Sequence, residues 1–176
     1  GMGTRFSNEE MALIYKDYRG KEYTELRLAV EPTYKDYLES FDEQKYIQER
    51  LATITRLVNM NIDPSTVKTL LDFGGDTGQY IPDIFPNAKK YVYDVSGVDL
   101  VEGVERFDPN NVTDPIDFIM CCHTLEHVSE PNEIINNLKG LANGESFIYI
   151  EVPNFDISLY DVFHEHINYF NKKSIL

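Results

Sequence analysis

Asp72-Phe73-Gly74-Gly75-Asp76-Thr77-Gly78 ends an apolar run that begins at Val67. The run, Val67 to Phe73, reads as a buried strand, and the three glycines after it mark a turn with unusual backbone angles or a close backbone approach to a ligand. A strand that runs into such a turn opens an α/β nucleotide-binding unit. The turn also discriminates among nucleotides. A dinucleotide pattern G-x-G-x-x-G started at Gly74 needs glycine at 76 and at or near 79, where this chain has Asp76 and Gln79. A carboxylate in that loop repels a pyrophosphate, so the turn suits a ligand without phosphate.

Downstream, short apolar runs alternate with helical stretches. Tyr80 to Phe85 reads as the helix after the turn, Lys90 to Asp94 as a second strand, and Gly103 to Phe107 as a third strand reached by a short connection. Ile116 to Cys121 reads as a fourth strand, Pro131 to Leu141 as a helix opened by Ser129, and Ser146 to Val152 as a fifth strand. This alternation predicts an α/β fold with a parallel sheet. Asp94, 22 residues after Asp72, closes the second strand, where such a site places the carboxylate that accepts both ribose hydroxyls.

Upstream, the chain is charged, tyrosine-rich and helical in pattern. From Asp42 to Met60, Ile47, Leu51, Ile54 and Val58 recur at spacings of 4, 3 and 4 on one helix face, which predicts that Glu49, Arg50, Thr53 and Arg56 point away. Asn61 to Ser65, with Pro64, reads as a linker. The expected organisation is an N-terminal helical cap over 1–63 and a Rossmann-like domain over 64–176. Tyr15, Tyr18, Tyr23, Tyr34 and Tyr37 crowd the cap, either as its packing or as a lining that stacks on a sugar or ring.

A chain of 176 residues that is 42% apolar has room for one core. Its formal net charge of -14 repels nucleic acid and anionic membrane surfaces at long range. There is no run of 18 apolar residues and no basic segment followed by an apolar one at the start. Cys121 and Cys122 are neighbours and form no disulfide framework, which suits a reducing compartment. The expectation is a cytoplasmic protein.

At Asp72, Gly74, Gly78 and Asp94 the chain resembles the class I S-adenosylmethionine-dependent methyltransferases, whose first motif is an acid, any residue, then alternating glycines. The resemblance implies S-adenosylmethionine as cofactor, held by Asp72, Gly74, Gly75, Asp76, Gly78 and Asp94. Asp76 stands where the family has its middle glycine, and Asp108 stands where the family often has an acid near the adenine amine. Leu125-Glu126-His127-Val128-Ser129-Glu130-Pro131 is similar to the leucine-glutamate-histidine segment of the small-molecule methyltransferases. That likeness implies that Cys122 and His123 line the cofactor pocket and that Glu126 and His127 start a helix.

Val152-Pro153-Asn154, then His164-Glu165-His166 with Tyr169-Phe170, is similar to the sugar C-methyltransferases, whose histidine-glutamate-histidine triplet faces the substrate. The likeness implies His166 as general base, Glu165 orienting it or the substrate, and His164 beside them, with a small polar methyl acceptor such as a sugar nucleotide. The other reading is that the triplet caps and wedges the next helix.

Two further readings stand beside this one. His123 to His127 satisfies H-x-x-E-H, a zinc-hydrolase signature, but a strand precedes it and Pro131 follows, so no metal ligands are assigned. A non-catalytic protein of the same fold is the other, suggested by Asp76 and by a sheet of five strands where the family adds an antiparallel pair. The apolar run Phe147-Ile148-Tyr149-Ile150 makes a poor exposed edge. Either the sequence is part of a longer protein or another subunit, as in a homo-oligomer, covers that edge.

Overall fold

A computed structural model describes residue 10 and residues 20–111, 114–154 and 166–175. Among them are helices α1 (Lys21–Val30), α2 (Tyr34–Ser40) and α3 (Glu43–Asn61), strands β1 (Thr69–Phe73), β2 (Lys89–Tyr93), β3 (Val104–Arg106) and β4 (Phe118–Cys122), helix α4 (Pro131–Leu141), strand β5 (Phe147–Glu151) and the short α5 (Lys172–Ile175). The five strands are parallel and lie in the order β3-β2-β1-β4-β5. The fold is α/β and Rossmann-like. Sequence order runs outward in one direction from β1 to β3 and in the other from β1 to β5, so the chain reverses between β1 and β4. Ligands of such sheets sit in the crevice outside the carboxyl ends of the strands at that reversal.

Both faces of the sheet are covered, and the side-chain alternation of the central strands shows it. Leu70, Val92, Phe118 and Met120 join one core with Ile54 and Val58 of α3. Leu71, Tyr91, Ile119 and Cys121 join the other with Leu138 of α4. Every residue of β4 is buried, which accounts for its unbroken apolar run. Asp117 fixes the start of β1 against β4, its Oδ2 accepting from the backbone N–H of Lys68 at 2.8 Å and of Thr69 at 3.0 Å. At the end of the sheet, Phe147 and Ile150 of β5 are exposed.

Helix α3 begins where expected, with the Asp42 carboxylate accepting from Lys45 N–H at 3.0 Å. Ile54 and Val58 are buried on its inner face, and Ile47 and Leu51 are half-buried. The expectation that Arg50 points away is corrected: its side chain is 11% exposed and meets Glu151. Among the N-terminal helices, Tyr23 and Tyr34 serve packing, because the Arg27 guanidinium lies 3.9 Å over the Tyr34 ring and Nη1 donates to the Tyr23 hydroxyl at 2.8 Å. Tyr15 and Tyr18 lie outside the described residues.

The helix expected over Tyr80 to Phe85 is replaced by turns. Pro82 and Pro86 are the reason, since each turns the residue before it, Ile81 and Phe85, away from helical backbone. Ile81 and Phe85 still reach the core from this irregular segment. Ser129 does not cap α4: Glu130 holds the cap position without a side-chain bond, and Pro131 starts the helix. No helix among the described residues is long and apolar enough to cross a membrane.

Truncating Ile119, which is fully buried at the middle of the sheet, should cost about 2–5 kcal/mol of unfolding free energy as Ile119→Ala. Chemical denaturation measures it, and a loss under about 1 kcal/mol contradicts the central position of β4.

Candidate ligand site at the sheet reversal

The loop after β1 and the loop after β4 meet over the crevice. Gly74 has φ 73, and a Cβ there would stand 2.2 Å from Thr124 Oγ1, so only glycine lets the two loops close on each other. The Thr124 hydroxyl lies 3.2 Å from the carbonyl oxygens of Phe73 and Cys122 and bridges the ends of β1 and β4. Asp76 takes φ 53 and His123 φ 52, a left-handed backbone that is costly for residues with side chains. One strained residue therefore stands on each side of the crevice.

Beneath the loop, Asp72 is 1% exposed and its Oδ2 has no hydrogen-bond partner among the described residues. Gly75 lies directly above it, where a Cβ would fall 2.5 Å from that oxygen. Burial pushes the Asp72 carboxyl up to about 7, with the Arg50 cation opposing and Asp94 adding to the rise. Asp94 follows β2 and faces the same loop. Its Oδ2 accepts from Asp76 N–H at 2.9 Å and its Oδ1 from Ser96 N–H at 2.7 Å, and each oxygen keeps lone-pair capacity for a further donor.

On the other side of the crevice runs a chain of charged groups. Arg50 Nε lies 3.3 Å from Glu151 Oε1 at the end of β5, and Glu151 Oε1 lies 2.8 Å from His123 Nε2. His123 Nδ1 then lies 3.2 Å from Glu126 Oε1. The Tyr149 hydroxyl donates to Glu151 Oε2 at 2.8 Å. Burial alone would raise Glu151, but the bond from His123 and the charge of Arg50 hold it down at about 2. Burial also opposes the charge of His123, and its two carboxylate partners outweigh that effect and raise it. Arg50 lies 4.1 Å over the Tyr80 ring, with a buried Nη2 that has no hydrogen-bond partner among the described residues.

The expected site residues divide into three groups. Asp72, Gly74, Gly75, Asp76, Gly78, Asp94 and His123 come together around the crevice. Cys122 is buried in the α3-side core close to Asp72, Glu151 and Arg50, and burial raises its thiol. Asp108 spends its carboxylate on its own loop, accepting from Asn110 N–H at 2.9 Å and Asn111 Nδ2 at 2.7 Å. His164 and Glu165 lie outside the described residues.

His166 is described, and it stands edge-on to His127 with ring centroids 4.8 Å apart. Glu126 and His127 lie in a turn closed by His127 N–H donating to Thr124 O at 3.0 Å, not at the start of a helix. Residues 166–168 dock on this turn too tightly for it to continue as a helix: Ile167 and Asn168 N–H both donate to the Glu126 carbonyl, at 2.9 and 3.0 Å.

Arg50, Tyr149 and Glu151 were not expected here. The signal for Arg50 was its place three residues after Ile47 and four before Ile54, on the apolar face itself. Glu151 is an acid at the carboxyl end of an apolar run, the same signal that marked Asp72 and Asp94.

An open parallel sheet with a glycine turn and two acids at its reversal defines an α/β nucleotide-binding domain. Residues 43–176 match the family described as a methyltransferase domain, and the chain belongs to that family. No curated protein matches it. Among solved structures, it is similar to the plantazolicin methyltransferase BpumL in complex with a pentazolic desmethylPZN analog and SAH, at 17% identity over 84% of this chain and 61% of that one, with a TM-score of 0.45. It is also similar to an S-adenosylmethionine-dependent methyltransferase from Clostridium acetobutylicum ATCC 824, at 12% identity over 80% of this chain and 61% of that one, with a TM-score of 0.44. The chain spans 61% of the length of those proteins.

A pH dependence follows from Asp72. Its carboxyl is raised in the folded chain, so between about pH 4 and about pH 7 the folded state keeps a proton that the unfolded state has lost. Stability contributed by this group therefore falls as pH rises through that window and levels off above it. Asp72→Asn should remove that fall in denaturation series across the window. Identical profiles for both proteins contradict the buried, unpartnered carboxyl.

Proposed function

We propose that the chain binds S-adenosylmethionine across the β1–β4 crevice and transfers its methyl group to a small polar acceptor. The observation that carries this reading is Asp72, a buried carboxylate with an unpartnered oxygen under the glycine loop. With Asp76 above and Asp94 beside it, the loop is electronegative, which suits a ligand with ammonium and sulfonium charges and opposes a pyrophosphate. On this reading Asp94 accepts the ribose hydroxyls, since both of its oxygens keep lone-pair capacity beside their bonds to Asp76 and Ser96 N–H. The buried Nη2 of Arg50 is the complement for a carboxylate, as on the methionine end of the cofactor.

Methyl transfer is an in-line displacement. A lone pair of the acceptor forms the new bond to carbon, the carbon–sulfur bond breaks, and its electron pair neutralises the sulfonium. The domain's task is to hold the three centres collinear, exclude water and take the acceptor's proton. We assign the proton to His166, which the turn at Glu126 holds beside His127. A sugar nucleotide remains the acceptor class suggested by Val152-Pro153-Asn154 and the histidine-rich segment. The H-x-x-E-H hydrolase reading loses support, because the segment is a turn and both ring nitrogens of His123 face carboxylates.

Calorimetry with adenosylmethionine and adenosylhomocysteine should give one site, weakened at least about tenfold in Asp94→Ala, a loss of about 1.4 kcal/mol or more. No binding at millimolar ligand contradicts the proposal. Because a cationic ligand pulls the Asp72 carboxyl back down from about 7, binding near pH 6.5 should release roughly half a proton or more. Repeating the titration in buffers of different ionisation enthalpy reads that release, and a release unchanged in Asp72→Asn excludes Asp72 as its source.

A further inference from the structure

Glu126 presents a second unmet demand for positive charge. It is 1% exposed, and among the described residues neither Oε1 nor Oε2 has an aligned hydrogen bond. An ionised carboxylate buried in that way is costly unless a cation is close. His123 approaches Oε1 at 3.2 Å but is shared with Glu151, which holds its other nitrogen at the shorter 2.8 Å.

Two more imidazoles converge on the same carboxylate. One ligand atom each from Glu126, His127 and His166 lie within 4.8 Å of one another, and His127 Nε2 is 3.9 Å from Glu126 Oε1. The backbone enforces this meeting. The Glu126 carbonyl accepts from Ile167 and Asn168 N–H, while the Asn168 side-chain amide donates to Leu125 O at 2.9 Å and Val128 O at 2.6 Å. That staple brings His166 to His127. A bridge between Asn154 and Phe170 ties the same segment beside the end of β5.

Two neutral imidazoles and one carboxylate are the donor set of open, three-ligand transition-metal sites. We propose that Glu126, His127 and His166 bind one divalent metal ion of the zinc class, leaving at least one position open to water or to an oxygen of the acceptor. These are not the residues of the H-x-x-E-H pattern, since His166 comes from a different segment and replaces His123. Tetrahedral zinc needs its donors roughly 3.3 Å apart, so the 4.8 Å cluster closes by an ångström or more on loading. His123 stays outside and orients the carboxylate. With the ion bound, His166 is a ligand, and its role as proton acceptor belongs to the metal-free protein. The inference is independent of methyl transfer.

The test titrates chelator-stripped full chain with zinc chloride by calorimetry and follows the histidine ring nitrogens by NMR. One equivalent should bind, shifting the rings of His127 and His166 with a smaller effect on His123. His127→Ala and His166→Ala should each weaken zinc at least about tenfold, with adenosylhomocysteine binding retained in both as the sign of an intact fold. Absence of binding at 100 µM-scale zinc, on the order of the weakest specific sites, overturns the proposal. So does ring-nitrogen shift confined to His123 or His164, or zinc affinity unchanged by both variants. If the variants fail to fold, the wild-type NMR response decides alone. Loss of zinc binding with cofactor binding intact, or the reverse, separates this proposal from the methyl-transfer reading.

Discussion

The burial of Asp72 at the end of the central strand constrains everything above it. The carboxyl sits under the loop closely enough to require glycine at 75, and it is far enough from water to rise to about 7. Hydrophobic side chains of both cores surround β1 because the sheet is covered on both faces, and that burial is what makes the ionised carboxylate costly. The loop then turns back over the acid with Gly74 pressed on Thr124, which brings the ends of β1 and β4 together at the reversal of strand order. The geometry of this site follows from packing rather than from flexible surface groups.

Helix α3 reaches from the N-terminal helices to that site. Ile54 and Val58 anchor it in the core, and the same face delivers Arg50 to Glu151 beneath the rings of Tyr46 and Tyr80. From there the charges alternate through Glu151 and His123 to Glu126. Positive and negative groups in turn lower each other's cost of burial, so the far wall of the crevice is held by a network that spans α3, β5 and the turn after β4.

The sheet was legible because its signals are local: apolar runs of strand length, ended by acids or glycines, recur at α/β spacing. The acids at 72 and 94 were legible for the same reason, since their positions relative to strand ends carry the chemistry. Tyr80 to Phe85 misled because its apolar spacing is helical, whereas Pro82 and Pro86 turn the residues before them away from helical backbone and the apolar residues reach the core from turns. Arg50 misled because a cation on an apolar face has no partner in the sequence; Glu151 lies 101 residues away. The turn at Glu126 and His127 depends on residues 167 and 168, and such long-range backbone bonds leave no periodic trace.

The central claim is that the glycine turn holds a cationic, phosphate-free nucleoside over Asp72 and beside Asp94. Backbone amide NMR of the chain with saturating adenosylhomocysteine, compared with the same experiment using NAD, addresses it most directly. Large shifts confined to residues 74–78, the segment after β2 and His123 should appear with adenosylhomocysteine, and none of comparable size with NAD. Equal responses to both ligands, or none at the turn with either, would contradict it.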